Sequence, residues 1–166
     1  MKTLTVIIPV YNEEKRLSLA FEALKKFKAP TELTVEKFVF VNDGSKDNTL
    51  KLLKNFKSKF NSKLPTGAKI EIVTYPVNRG RGYAVMQGVK CVNTDFGMFL
   101  DGDMSIPLDN LKSFSKYMSI GFDLLVGSKK IKGTTTLVQR DFIRDFIGEV
   151  HSRILSLVLG IQLADF

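Results

Sequence analysis

The chain has 166 residues, 44% of them hydrophobic and 25% charged, with one cysteine and a formal net charge of +8. That length suits a single domain with a real core, and the composition excludes disorder as its main state. One cysteine cannot close an internal disulfide, which fits a reducing or cytosol-facing site, and the excess of cations asks for an anionic partner without naming it.

Met1 to Val10 is too short an apolar run for a secretory signal and leads straight into Tyr11-Asn12-Glu13-Glu14. It reads instead as a first strand over Leu4–Ile8. A helical stripe follows at Leu17, Phe21, Leu24 and Phe27, then a strand at Phe38–Val41 and a second stripe at Leu50, Leu53 and Phe56. Asn12 and Ser45 stand where these helices would begin, and their side-chain oxygens are expected to cap free amides. Pro65-Thr66-Gly67 marks a surface turn before a third strand, Ile70–Thr74. A third stripe is Val85, Val89 and Val92, with Cys91 beside it as a packing residue. Gly97–Leu100, the stripe Leu111, Phe114 and Met118, and Leu124–Gly127 complete the alternation.

Short apolar strands between amphipathic helices predict an α/β fold, an open, doubly wound, mainly parallel sheet with helices on both faces. From Arg140 to Leu163 apolar residues keep helical spacing, with Arg140, Arg144, His151 and Arg153 among them. That stretch fits either a helix packed on the sheet or an amphipathic helix at a membrane surface. The longest near-apolar segment, Ile154–Ile161, falls well short of the roughly 20 residues that cross a bilayer. No basic block is interleaved with aromatics, so nucleic acid is not the expected partner.

Ligands of open parallel sheets bind beyond the carboxyl ends of the strands. Here those positions hold Pro9 to Glu14, Asn42-Asp43-Gly44-Ser45, Asn78-Arg79-Gly80-Arg81-Gly82, Asp101-Gly102-Asp103 and Gly127-Ser128-Lys129-Lys130. Two carboxylates spaced as Asp101 and Asp103, at a strand end, can face one diphosphate and share Mg²⁺ or Mn²⁺ with it. Asp43 can accept from the imide of uracil or the amides of guanine. Gly80 and Gly82 do not make a dinucleotide fingerprint, because Val85 stands where the third glycine belongs. No lysine P-loop, zinc cluster or serine elbow is present, and His151 is the sole histidine.

In order along the chain, Thr5 to Glu14, Val41 to Ser45, Asn78 to Gly82 and Asp101 to Asp103 resemble family 2 glycosyltransferases of the GT-A fold. Glu13 to Leu17, Asn78 to Gly82 and Gly127-Ser128-Lys129 are most similar to dolichyl-phosphate β-glucosyltransferases, with dolichyl-phosphate mannosyltransferases next. The resemblance implies that Pro9, Tyr11, Glu13, Asn78 and Gly80 line the donor pocket and Asp43 contacts the base. It implies that Asp101 and Asp103 hold ribose, diphosphate and metal, and that Lys129, Arg144 and Arg140 hold the acceptor phosphate. Lys129 replaces a usual arginine, keeping the charge but not the planar fork, and Ser105 replaces a glutamine common in mannosyl relatives. Asp165 matches the start of an Asp-x-x-x-Gly-Phe segment, so the domain is expected to be truncated at its C-terminal end.

The implied reaction is inverting transfer of glucose from UDP-glucose to a polyprenyl (dolichyl) phosphate, at the cytosolic face of a membrane. GDP-mannose as donor, or a polysaccharide or glycan acceptor, are the alternatives within the class. A nucleotidyltransferase or a non-catalytic nucleotide-binding regulator are the alternatives outside it.

Overall fold

A computed structural model describes residues 1–127. In chain order the elements are β1 (Lys2–Val10), α1 (Leu17–Lys26), β2 (Leu33–Asp43), α2 (Thr49–Phe60), β3 (Lys69–Tyr75), α3 (Arg81–Val89), β4 (Phe96–Phe99) and α4 (Leu111–Ser119). All of them lie in one unit, Met1–Asp123.

The strands form one sheet in the order β3-β2-β1-β4, and every pairing is parallel. Each of the residues from Leu4 to Ile8 is buried, as a central strand covered on both faces requires. Alternate residues of a strand point to opposite faces, and the helices divide accordingly. Ile7, Val39 and Val41 pack against Ala84 of α3, with Val73, Tyr75, Cys91 and Val92 around them. On the other face Phe40 meets Phe21 of α1 edge-on at 6.2 Å, and Phe21 stacks on Phe56 of α2 at 4.0 Å. Helices cover both faces, as the alternation of patterns predicts.

Three expectations need correction. The buried face of α3 is Ala84 and Gly88, while Val89 is 48% exposed, so within the valine stripe Val89 does not mark the contact and Val92 does. The reason is proximity: a Cβ on Gly88 would stand 2.2 Å from Cγ2 of Ile7 and 3.2 Å from Cγ2 of Val41. Only small residues let this helix lie so close to the sheet. Second, Leu124–Gly127 is not a strand, and Leu124 and Val126 are 70% and 48% exposed. An apolar run becomes a strand only where a partner strand takes up its amides.

Third, Asn12 and Ser45 cap no helix, because α1 and α2 begin four residues or more beyond them. They bond across two loops instead. The Lys46 amide donates to Asn12 Oδ1 at 2.8 Å, and the Asn12 amide donates to Ser45 Oγ at 3.0 Å. Carboxylates do the capping at α2, where Glu14 Oε2 accepts from the Asn48 amide and Asp47 Oδ1 from the Thr49 amide. Asn48 in turn donates its side chain to Glu14, and these bonds hold the Glu14 carboxyl below its ordinary range.

Gly88→Ala is expected to destabilise the chain by about 1–3 kcal/mol, because the added methyl overpacks against Ile7. The same change at an exposed helical site would stabilise, so a lowered urea midpoint identifies the close approach; an unchanged or raised midpoint contradicts it.

Candidate active site

Parallel strands bring their carboxyl ends to one edge, and in the order β3-β2-β1-β4 the direction of winding reverses between β1 and β4. A crevice opens at such a reversal. Pro9 and Tyr11 stand at the end of β1 on one side of it, and Asp101-Gly102-Asp103 follows β4 on the other. The Leu100 amide donates to the Ile7 carbonyl at 2.9 Å, which seats the acidic loop against β1. Gly102 is buried there: a Cβ would lie 3.0 Å from Cγ1 of Val10 and 3.3 Å from the Pro9 carbonyl oxygen. The residue between the two aspartates is thus small because β1 passes directly behind it.

Asp43, at the end of β2, is 3% exposed. Its Oδ1 accepts from the Arg79 amide at 2.8 Å; Oδ2 accepts from the Gly80 amide and the Asn78 side-chain amide, both at 2.9 Å. Ionised acceptors make stronger hydrogen bonds than neutral ones, so this carboxylate fixes the whole turn between β3 and α3. Gly44, at φ +68, permits the arrangement, since a Cβ there would be 2.6 Å from the Asn78 nitrogen. A carboxylate offers about four acceptor directions, and three are taken by its own chain. Asn42 beside it is 2% exposed and donates to Thr74 Oγ1 at 2.9 Å, tying β2 to β3.

Arg81, the first residue of α3, carries the connection onward. Its Nη2 lies 2.6 Å from Asp101 Oδ1, with side chains 60% and 38% exposed. Asp103 Oδ1 accepts from the Ser105 amide at 3.0 Å, and Met104 between them turns at φ 53. Asp43, Asn78, Gly80, Asp101 and Asp103 therefore belong to one connected edge. Glu13 turns to its own helix: its carboxylate takes the Arg16 guanidinium in two bonds of 2.7 and 2.8 Å. Lys129, Arg140, Arg144 and Asp165 lie outside the described residues.

Among the described residues no three His, Cys, Asp or Glu side chains gather closely enough to hold an ion unaided. Asp43 gives its oxygens to the Asn78–Gly80 turn. Asp101 and Asp103 remain, and hard divalent ions of the Mg²⁺ type commonly take one or two carboxylates and complete their shell from substrate phosphates and water. The guanidinium resting on Asp101 shows that this carboxylate accepts a cation. The donor set fits a divalent ion that arrives with a diphosphate. Two further groups escape the sequence reading. Arg81 has no distinguishing signal except its place in an Arg-Gly-Arg-Gly turn after a strand. Tyr75 places a buried hydroxyl at the end of β3, beside the Asp43 carboxylate but outside good hydrogen-bonding geometry with it. Burial foremost, then the neighbouring Asp43 carboxylate, pushes its phenol well above the ordinary range.

With this geometry in view, comparison with known proteins defines the class. The sequence profile of Glycosyl transferase family 2 matches residues 5–156, and the chain belongs to that family. It is 31% identical over 157 residues to the dolichyl-phosphate beta-glucosyltransferase of Mus musculus, covering 88% of this chain and 47% of that protein. It is 26% identical over 162 residues to the putative glycosyltransferase CsbB of Bacillus subtilis (strain 168), covering 98% of this chain and 45% of that protein. The chain thus spans about half the length of the curated relatives it matches. Among solved structures, S. aureus TarS 1-349 in complex with UDP-GlcNAc is similar at a TM-score of 0.53 and 28% identity, over 72% of this chain and 32% of that one. The fold is GT-A.

Tyr75→Phe is expected to leave stability at pH 7 unchanged or raise it by about 1 kcal/mol, since it removes a buried hydroxyl without a partner. The folded wild type keeps a proton that the unfolded chain releases near pH 10, so its stability falls as pH rises past about 10. Denaturant melts between pH 8 and 11 should show the variant gaining on the wild type only at the alkaline end. Parallel curves would contradict the burial.

Proposed function

We propose that the crevice between β1 and β4 binds a nucleotide sugar, UDP-glucose before others, and that the protein transfers the hexose with inversion to a polyprenyl phosphate. The observation that carries the reading is the pair Asp101 and Asp103, seated at the reversal of the sheet and linked through Arg81 to the turn that Asp43 holds. The family supports transfer from a donor of this kind, and the 31% likeness to a dolichyl-phosphate beta-glucosyltransferase supports the glucosyl donor and the lipid phosphate.

In this reading Pro9 and Tyr11 line the nucleoside side of the crevice. Asp43 contributes mainly by fixing the Asn78–Gly80 turn, and it is also the residue that meets the base. Asp101 and Asp103 hold the divalent cation, Mg²⁺ or Mn²⁺, which when bound neutralises charge on the departing diphosphate. Lys129, Arg140, Arg144 and Asp165 are the residues assigned to orienting the acceptor phosphate toward the anomeric carbon. An acceptor phosphate is an oxyanion near neutral pH, so the transfer needs no strong general base, in keeping with a chain whose sole histidine is His151. Catalysis then rests on electrostatic stabilisation of the leaving group and on alignment of the two reactants. The acceptor places the reaction at a membrane surface on the cytosolic side; no helix among the described residues is long and apolar enough to cross a membrane.

Calorimetry with UDP, UDP-glucose and GDP-mannose, each with and without Mn²⁺, tests the donor class. Uridine ligands should bind and should need the cation; binding of GDP-mannose alone would reassign the donor. Asp103→Ala should abolish cation-dependent UDP binding with an unchanged circular dichroism spectrum, and undiminished affinity would remove the metal assignment. In a chain competent for turnover, Arg144→Ala should impair acceptor use with donor affinity kept; a loss confined to donor binding would contradict the division of roles.

A further inference from the structure

Two arginines flank Gly80, and they take different neighbours. The Arg79 guanidinium lies 5.3 Å from the ring centroid of Tyr83, within its own helical turn. The Arg81 guanidinium lies 5.7 Å from the ring centroid of Phe99 on β4, and its Nη2 meets Asp101 Oδ1. The fold does not require that second contact. Arg81 is 60% exposed at the side chain, and exposed pairs of this kind add at most about 1 kcal/mol. Yet the contact joins the start of α3 to the loop after β4 and occupies an oxygen of the Asp101–Asp103 pair. Phe99 is 53% exposed, and its ring lies beside the Arg81 guanidinium.

Resting on the donor-site reading above, we infer that Arg81 is a resident cation at Asp101. It holds that carboxylate in the free protein, yields it to the divalent ion that arrives with the donor, and then turns its guanidinium to the diphosphate. A guanidinium stays charged at every relevant pH and has donors only, so it suits both partners, carboxylate and phosphate, and cannot be silenced by losing a proton. The ion alone has to displace Arg81 from its partner. The ion together with a diphosphate offers the displaced charge a new one. Cation and nucleotide therefore assist each other, and by linkage the assistance is mutual. The Phe99 ring keeps the guanidinium at the crevice while it changes partners.

The test is Mn²⁺ binding, read from the electron paramagnetic resonance of the free ion, together with UDP calorimetry, on the 166-residue chain and its Arg81→Gln and Arg81→Lys variants. Without nucleotide, Arg81→Gln should bind Mn²⁺ about fivefold more tightly, because its competitor is gone. At saturating Mn²⁺ the same variant should bind UDP about tenfold more weakly, having lost a phosphate contact. Arg81→Lys should fall between, since it keeps the charge without the fork. Weaker Mn²⁺ binding in Arg81→Gln would make the residue a structural prop and overturn the inference. Binding of both ligands unaltered by either substitution would overturn it alone, leaving the donor site in place. A wild-type chain that bound neither Mn²⁺ nor UDP would overturn the donor-site reading and this inference with it.

Discussion

A carboxylate sealed at the end of β2 organises the functional edge of this protein. Asp43 accepts two backbone amides and one side-chain amide from Asn78, Arg79 and Gly80, a stretch whose first two residues are themselves exposed. Exposed turns have little packing to define them, so the buried charge supplies the definition. Unmet, that charge would be costly; met by three donors, it selects one path for the chain. The start of α3 inherits its position from this turn. Arg81 is its first residue, and through Arg81 the geometry reaches Asp101 on the far side of β1.

Close approach is the second constraint, and it is written in missing side chains. Gly88 lets α3 press on Ile7 and Val41, Gly44 lets the turn after β3 cross the end of β2, and Gly102 lets the acidic loop sit against Val10. Each removes a methyl that neighbouring backbone or core atoms would otherwise meet. The consequence is functional as well as structural. A loop held directly against β1 fixes Asp101 and Asp103 at the carboxyl edge of the sheet.

The charges of the edge are divided rather than pooled. Glu13 is committed to Arg16, Glu14 and Asp47 to the start of α2, and Asp43 to the turn after β3, so the segments after β1 and β2 spend these carboxylates on architecture. Among the described residues, the Asp101–Asp103 loop presents acids whose partners are an exposed arginine and a single amide. Acidic residues near a strand end are thus poor indicators of chemistry until their hydrogen bonds are known.

The order of strands and helices, the covering of both sheet faces and the concentration of polar residues at the carboxyl edge were all legible in the sequence, because they follow from hydrophobic periodicity and strand-end punctuation. So were the positions of Asp43, Asp101 and Asp103. What each side chain does was decided by tertiary contacts. Asn12 and Ser45 have the composition of helix caps but bond to each other's loops, since their helices begin further on. Val89 has the spacing of a core residue but faces outward, because glycine and alanine at Gly88 and Ala84 bring the helix closer than a valine face allows. Leu124–Gly127 has the hydrophobicity of a strand but, among the described residues, no strand conformation. Local sequence sets the periodicity of an element. Which face it buries, and which charge finds which, depends on neighbours distant along the chain.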